Sequence, residues 1–162
     1  MHNWLREGFY GGLTIALVIG LYLTWLWQPE RQVKRHSANL LHKIEQKNWA
    51  GVADFIGPDY TDQWGDDRAL LVERMRDVFR YFRNARITIV DPIVNITGGR
   101  AVWRSKITIY GDNSEVMTLV KERVNLLGTP FEMEWRRVSG KPWDWKLVGV
   151  SNPGLEIPAG FE

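Results

Sequence analysis

The side chains able to do acid–base chemistry gather in one stretch. Residues 58–67 read PDYTDQWGDD and place Asp59, Asp62, Asp66 and Asp67 around Tyr60. Four carboxylates so close suggest a cation site, but they lack the spacing and closing Glu of a calcium loop. His36 and His42 are six residues apart and do not share one helix face well, and no His follows residue 42. Cysteine is absent, which removes disulfides, thiolate metal sites, iron–sulfur clusters and Cys nucleophiles together. The sequence therefore predicts no metal and no cofactor. Asp59, Asp66 and Asp67 read as loop and helix-capping residues, because Asp bonds its own backbone in turns and N-caps. Asp62 admits the same reading.

A second cluster is cationic. Arg76, Arg80 and Arg83 recur at i, i+4 and i+7, with Arg74 and Arg86 nearby. Such a row suits anionic lipid headgroups or an acidic partner. Pairing with Glu73 and Asp77 would make it an ordinary solvated face. With 21 Lys+Arg against 19 Asp+Glu, the net charge is +2. That balance argues against a dedicated nucleic-acid binder.

The element that positions everything else is at the start. Residues 8–27 read GFYGGLTIALVIGLYLTWLW and carry no charge. Twenty helical residues rise about 30 Å, the hydrocarbon thickness of a bilayer. Trp4 precedes the run and Tyr22, Trp25 and Trp27 lie in its far end, and such rings prefer the headgroup boundary. Bulky tryptophans stand where a signal peptidase needs small residues, so an uncleaved single-pass anchor is expected. Gly8, Gly12, Ala16 and Gly20 recur every four residues, a stripe that lets another membrane helix approach. Arg31, Lys34 and Arg35 after the span favour a cytoplasmic domain. The short amino tail resembles a bacterial signal-anchor, which exports the domain downstream of it, and the reading leans to the periplasmic side. Membrane lipids and other transmembrane helices or subunits are the expected partners.

Beyond residue 29 the chain reads as one α+β domain over 30–152, followed by a Gly/Pro-rich tail over 153–162. Pro29 can open a helix. Residues 30–48 are amphipathic, and 49–56 form a short helical piece stopped by Gly57-Pro58. Residues 67–83 carry Leu71, Met75, Val78 and Phe82 at helical spacing, with Phe79 beside them. After Ala85 the period changes. RITIV, PIVNIT, RAVWRSKITIY, EVMTLVKERV, FEMEWRRV and WDWKLVGV read as strands of an antiparallel meander. Trp143, Trp145 and Leu147 are expected on one strand face. Six of the nine tryptophans lie in this domain, and core filling is their default role.

The order of elements, the phrase FIGPDYTDQWG after the second helical piece, and the closing pair FEMEWRRVSGKPWDWKLVGV resemble the nuclear transport factor 2-like superfamily, also described as a cystatin-like cone. The resemblance spans roughly residues 30–150 and implies helices packed on a curved antiparallel sheet around a pocket. It also implies diverse roles, from ketosteroid isomerases and dehydratases to domains without catalysis, so fold alone does not give function. In the ketosteroid isomerase branch a general-base Asp lies in an Asp-Pro-x-Gly context; Asp62-Gln63-Trp64-Gly65 is similar, with Gln in place of Pro. Asp62 is thus the one catalytic candidate, a carboxylate made more basic by an apolar pocket mouth. Tyr60, Tyr81 and Tyr110 are candidate oxyanion donors. Dehydratases of the family use a His–Asp pair, which this chain does not offer. The sequence-level expectation is a non-catalytic, membrane-anchored binding or assembly domain, an accessory subunit of a membrane complex. The alternative is an anchored small-molecule binder or proton-transfer enzyme using Asp62.

Overall fold

The computed structural model describes the backbone of residues 3–112 and 115–155 and the side chains of 12–112 and 118–155. Helix α1 runs Asn3–Leu26. Every residue from Gly12 to Tyr22 is exposed around its whole circumference, including Leu13, Ile15, Leu17, Val18 and Ile19. Among the described residues no single helix is long and apolar enough to cross a membrane. Gly12–Leu26 reaches that length and composition only together with Pro29–Glu45, across a 61° bend. The second member of that pair belongs to the folded domain. Helix α2 (Pro29–Glu45) starts on its proline and buries Gln32, Val33, Ser37, Leu40, Leu41 and Ile44 along one face. Gln32 Nε2 donates to the Leu26 carbonyl at 2.8 Å, satisfying an end group of α1 that has no partner within the helix.

Lys47, at φ 55°, turns the chain out of α2. Asn48 then caps α3 (Trp49–Phe55), its Oδ1 accepting from Gly51 N at 2.9 Å. Asp67 caps α4 (Arg68–Phe79) in the same way, accepting from Leu70 N. α4 stops at Phe79, four residues short of the span that the spacing predicts. The chain bends there so that Phe79 and Phe82 stack at 5.0 Å and both enter the core. Val78, assigned by periodicity to the buried stripe, is exposed instead.

Four strands follow, β1 (Arg86–Thr97), β2 (Arg100–Tyr110), β3 (Phe131–Arg137) and β4 (Trp145–Ser151), antiparallel and in the order β1-β2-β3-β4. RITIV and PIVNIT fuse into one strand. The register slips between Val90 and Ile93, where Asp91 adopts φ 50° ahead of Pro92. EVMTLVKERV is not a strand. It forms α5 (Glu115–Asn125), between β2 and β3. Val120 and Val124, four apart, pack on the core from this helix, so helical spacing overrides the strand preference of β-branched residues. Asn125 closes α5 against β2, accepting from Ile109 N and donating to Ile109 O as a strand neighbour would. Trp143 falls outside β4, in the turn before it, and is half exposed, so the expected three-residue face reduces to Trp145 and Leu147.

The sheet lays Trp103, Trp135 and Trp145, all essentially solvent-free, against Val33, Leu40, Leu41 and Ile44 of α2 and Val52 of α3. The outward face is polar. Arg104 grips Glu132 across β2 and β3, its Nε and Nη2 donating to the two carboxylate oxygens.

Candidate functional site

Between α3 and α4 the chain runs along the outer edge of β4. Gly57 N donates to Leu147 O, Thr61 N to Val148 O and Gln63 N to Val150 O, at 2.8, 3.1 and 3.3 Å. The Gln63 side chain extends the pairing, donating to Asn152 O and accepting from Asn152 N. Glycine on β4 permits the approach: a Cβ on Gly149 would stand 3.2 Å from Thr61 O.

This docked segment carries the acidic cluster. Asp62 is buried, and its Oδ1 accepts from both Trp64 N and Asp66 N at 2.9 Å. Its Oδ2 accepts from the Tyr60 hydroxyl at 3.3 Å. Gly65, at φ 83°, closes the loop that Asp62 organises, a conformation L side chains avoid. Asp66, also buried, meets Arg74 at 3.1 Å. Its pKa is raised, first by burial and then by the nearby Asp62 charge, with Arg74 opposing. Tyr60 is buried and its hydroxyl is held protonated, by desolvation first and then by Asp62. Asp59 lies outside the cluster on the surface, paired with Arg136, whose bond keeps its pKa low. Tyr60, Asp62 and Asp66 form a set of interacting titratable groups, the kind of cluster that accompanies functional sites and structural networks alike. Both oxygens of Asp62 are already engaged. Tyr81 and Tyr110 are exposed at other points of the fold.

The remaining predicted residues are dispersed. Arg76, Arg80 and Arg83 are all exposed. Arg80 is engaged on its own surface, with Asp77 at 3.6 Å and the Tyr81 hydroxyl at 2.7 Å, and Arg83 lies past the end of α4. Gly12, Ala16 and Gly20 lie on the uncovered part of α1, and nothing stands within 4 Å of a Cβ on either glycine. The side chains of Trp4 and Gly8 lie outside the described residues. Tyr22 stacks on Trp25 at 6.1 Å, and the Arg31 guanidinium sits 3.4 Å over Trp25. Trp27 packs on Trp143 at 6.2 Å.

One partly buried group is not found from the sequence. His36 lies on the domain-facing side of α2, with its ring edge-on to Phe55 at 5.7 Å and to Trp135 at 5.9 Å. Its Nδ1 stands 2.8 Å from Gln32 O. Next to it in sequence, Ser37 Oγ is fully buried without a hydrogen-bond partner, and so is Trp135 Nε1. The available signal is spacing, since His36 precedes Leu40 and Ile44 by four and eight residues on the buried face. Among the described residues no cluster of His, Asp and Glu is arranged to hold a metal ion.

No protein-family model matches the sequence, and no curated protein matches it. Solved structures do resemble the fold. A Bdellovibrio bacteriovorus protein, Bd1075, superposes with TM-score 0.59 at 6% identity over 75% of this chain; the match takes in only 39% of that longer protein. A proposed scytalone dehydratase from Novosphingobium aromaticivorans gives 0.58 at 11% identity, covering 79% of this chain and 88% of that one. An NTF2-like protein from Cytophaga hutchinsonii gives 0.54 at 15% identity, covering 74% and 93%. At these identities the likeness establishes the fold alone, an α+β cone of the cystatin-like, nuclear transport factor 2-like kind; among the described residues it is built from α2–α5 and the four-stranded antiparallel sheet.

Proposed function

We propose that this chain is a membrane-tethered cone domain that takes up a small, largely apolar molecule between its helices and sheet. The observation that carries the reading is a buried, unpartnered donor among aromatic rings, Trp135 Nε1 with His36 against its ring; Ser37 Oγ, next to His36 in sequence, is a second buried polar group without a partner. A buried donor without an acceptor costs about 1–3 kcal/mol. A carbonyl or hydroxyl on an aromatic guest would remove that cost. The names of solved neighbours are in keeping with this: besides the proposed scytalone dehydratase, another from the same organism is a proposed aromatic ring hydroxylase. Those names favour an enzyme over a purely structural subunit. Asp62 is a poor choice of base for such an enzyme, because its lone pairs hold its own loop together.

The tether rests on α1. Eleven successive residues, Gly12 to Tyr22, are exposed, and the domain covers none of them. An apolar helix bare on every side is stable in lipid rather than in water. The same bare face favours a second reading, an accessory subunit whose α1 packs on another membrane helix.

Purification of the full chain in mild detergent, then native mass spectrometry and organic extraction, tests the two. A bound small molecule that is lost on Trp135→Phe supports the first reading. A ligand-free chain in stoichiometric complex with another membrane protein overturns it in favour of the second. Release of the chain from membranes by alkaline carbonate would refute the tether in either case.

A further inference from the structure

The far end of α1 is held by the domain. Trp27 closes the apolar run, and its ring meets that of Trp143, 116 residues later in the β3–β4 turn. We infer that the β3–β4 turn, residues 138–143, is a second membrane contact, seated in the headgroup layer of the bilayer that holds α1. This contact rests on the tether reading and goes beyond it, because it fixes how the cone stands on the membrane.

If α1 is embedded, Tyr22, Trp25 and Trp27 mark the level at which hydrocarbon gives way to headgroups. A ring whose centroid lies 6.2 Å from that of Trp27 stands within one side-chain length of that level. Trp143 is 49% exposed and Val138 45%, so the turn presents apolar surface that the domain leaves bare. The charges agree. Lys141 is exposed in the turn, and Arg100, the first residue of β2, is exposed at the same end of the sheet, where Arg137 N donates to Gly99 O. Arg31 lies over Trp25 at the foot of α1. Aromatic rings mixed with cations suit a surface of anionic phospholipid.

Because the chain contains no cysteine, a single introduced one can be labelled alone. Full-length protein is reconstituted in vesicles of phosphatidylcholine and phosphatidylglycerol, with a nitroxide at Gly140→Cys, where an added side chain meets nothing within 4 Å. Leu126→Cys reports the opposite end of the sheet and Leu17→Cys reports the tether. Collisions with a water-soluble nickel complex should fall severalfold at residue 140 relative to residue 126, with collisions with oxygen rising. Adding Trp143→Ala should return residue 140 toward the value at residue 126. A lipid-embedded label at residue 17 with a fully aqueous one at residue 140 would overturn the inference and leave the tether standing. An aqueous label at residue 17 would remove both. A residue-140 label unmoved by Trp143→Ala would overturn the role given to that ring.

Discussion

Replacing Asp62 with alanine removes the acceptor for three donors at once: the backbone N–H groups of Trp64 and Asp66 and the Tyr60 hydroxyl. Hydrogen bonds to a charged acceptor contribute about 1.5–3 kcal/mol each. Two of these donors are on buried residues, Tyr60 and Asp66, and find no ready substitute in water. Loss of a like charge beside Asp66 returns part of that. A net loss of about 3 kcal/mol is expected, close to a 10 °C fall in melting temperature for a domain of this size. Asp62→Asn is the informative partner. Its Oδ1 keeps both backbone bonds, so the loss should be about 1 kcal/mol. Thermal unfolding of the full chain in detergent, read by near-ultraviolet circular dichroism of the packed tryptophans, separates the two variants. If both melt with the native protein, the loop does not depend on Asp62 and the reasoning fails. Once a substrate is in hand, the pair also tests catalysis. A base would be abolished by Asp62→Asn at nearly unchanged stability, whereas a loop organiser would lose turnover only in step with melting.

Ser37→Ala, which removes a buried hydroxyl without a partner, should raise stability by about 1 kcal/mol in ligand-free protein; a fall of that size in the same melt would show that the hydroxyl is bonded. Asp66 has a raised pKa, so the native state binds its proton at higher pH than the unfolded chain does. Native stability relative to Asp66→Asn should therefore increase as pH falls through the range just above the ordinary carboxylate pKa; chemical unfolding of both chains at several pH values reads this, and parallel curves would contradict it. Gly149→Val places a side chain against Thr61 O and should cost about 1–3 kcal/mol by detaching the edge segment, visible as faster amide exchange at Thr61 and Gln63; unchanged exchange there would refute the close approach.

Much of the cone was legible because its elements announce themselves locally. Pro29 and Asp67 start their helices as the capping rules demand, whereas Asn48, read as the end of the first helix, caps α3 instead. The Thr97-Gly98-Gly99-Arg100 turn joins β1 to β2, with Gly98 at φ 60°. What escaped was decided by partners distant in sequence. The valines of α5 favour a strand by propensity, and only their packing on the core makes the segment helical. Phe82 continues a helical pattern on paper, but the pull of Phe79 and Trp49 ends the helix before it. At the site, the turn bonds of Asp62 are of the kind a sequence can suggest, since their partners lie within four positions. His36 and Trp135 are about a hundred residues apart, and no local pattern brings them together.

The segment docked along β4 also bears on how copies of this chain behave at high concentration. By occupying that margin of the sheet, it leaves β1 as the one margin open to a foreign strand among the described residues. There Pro92 offers no N–H, and the kink at Asp91 breaks the row of donors and acceptors. Neighbouring copies therefore find no unbroken ladder to extend, and cones held at high local density are protected from zipping into β-linked aggregates.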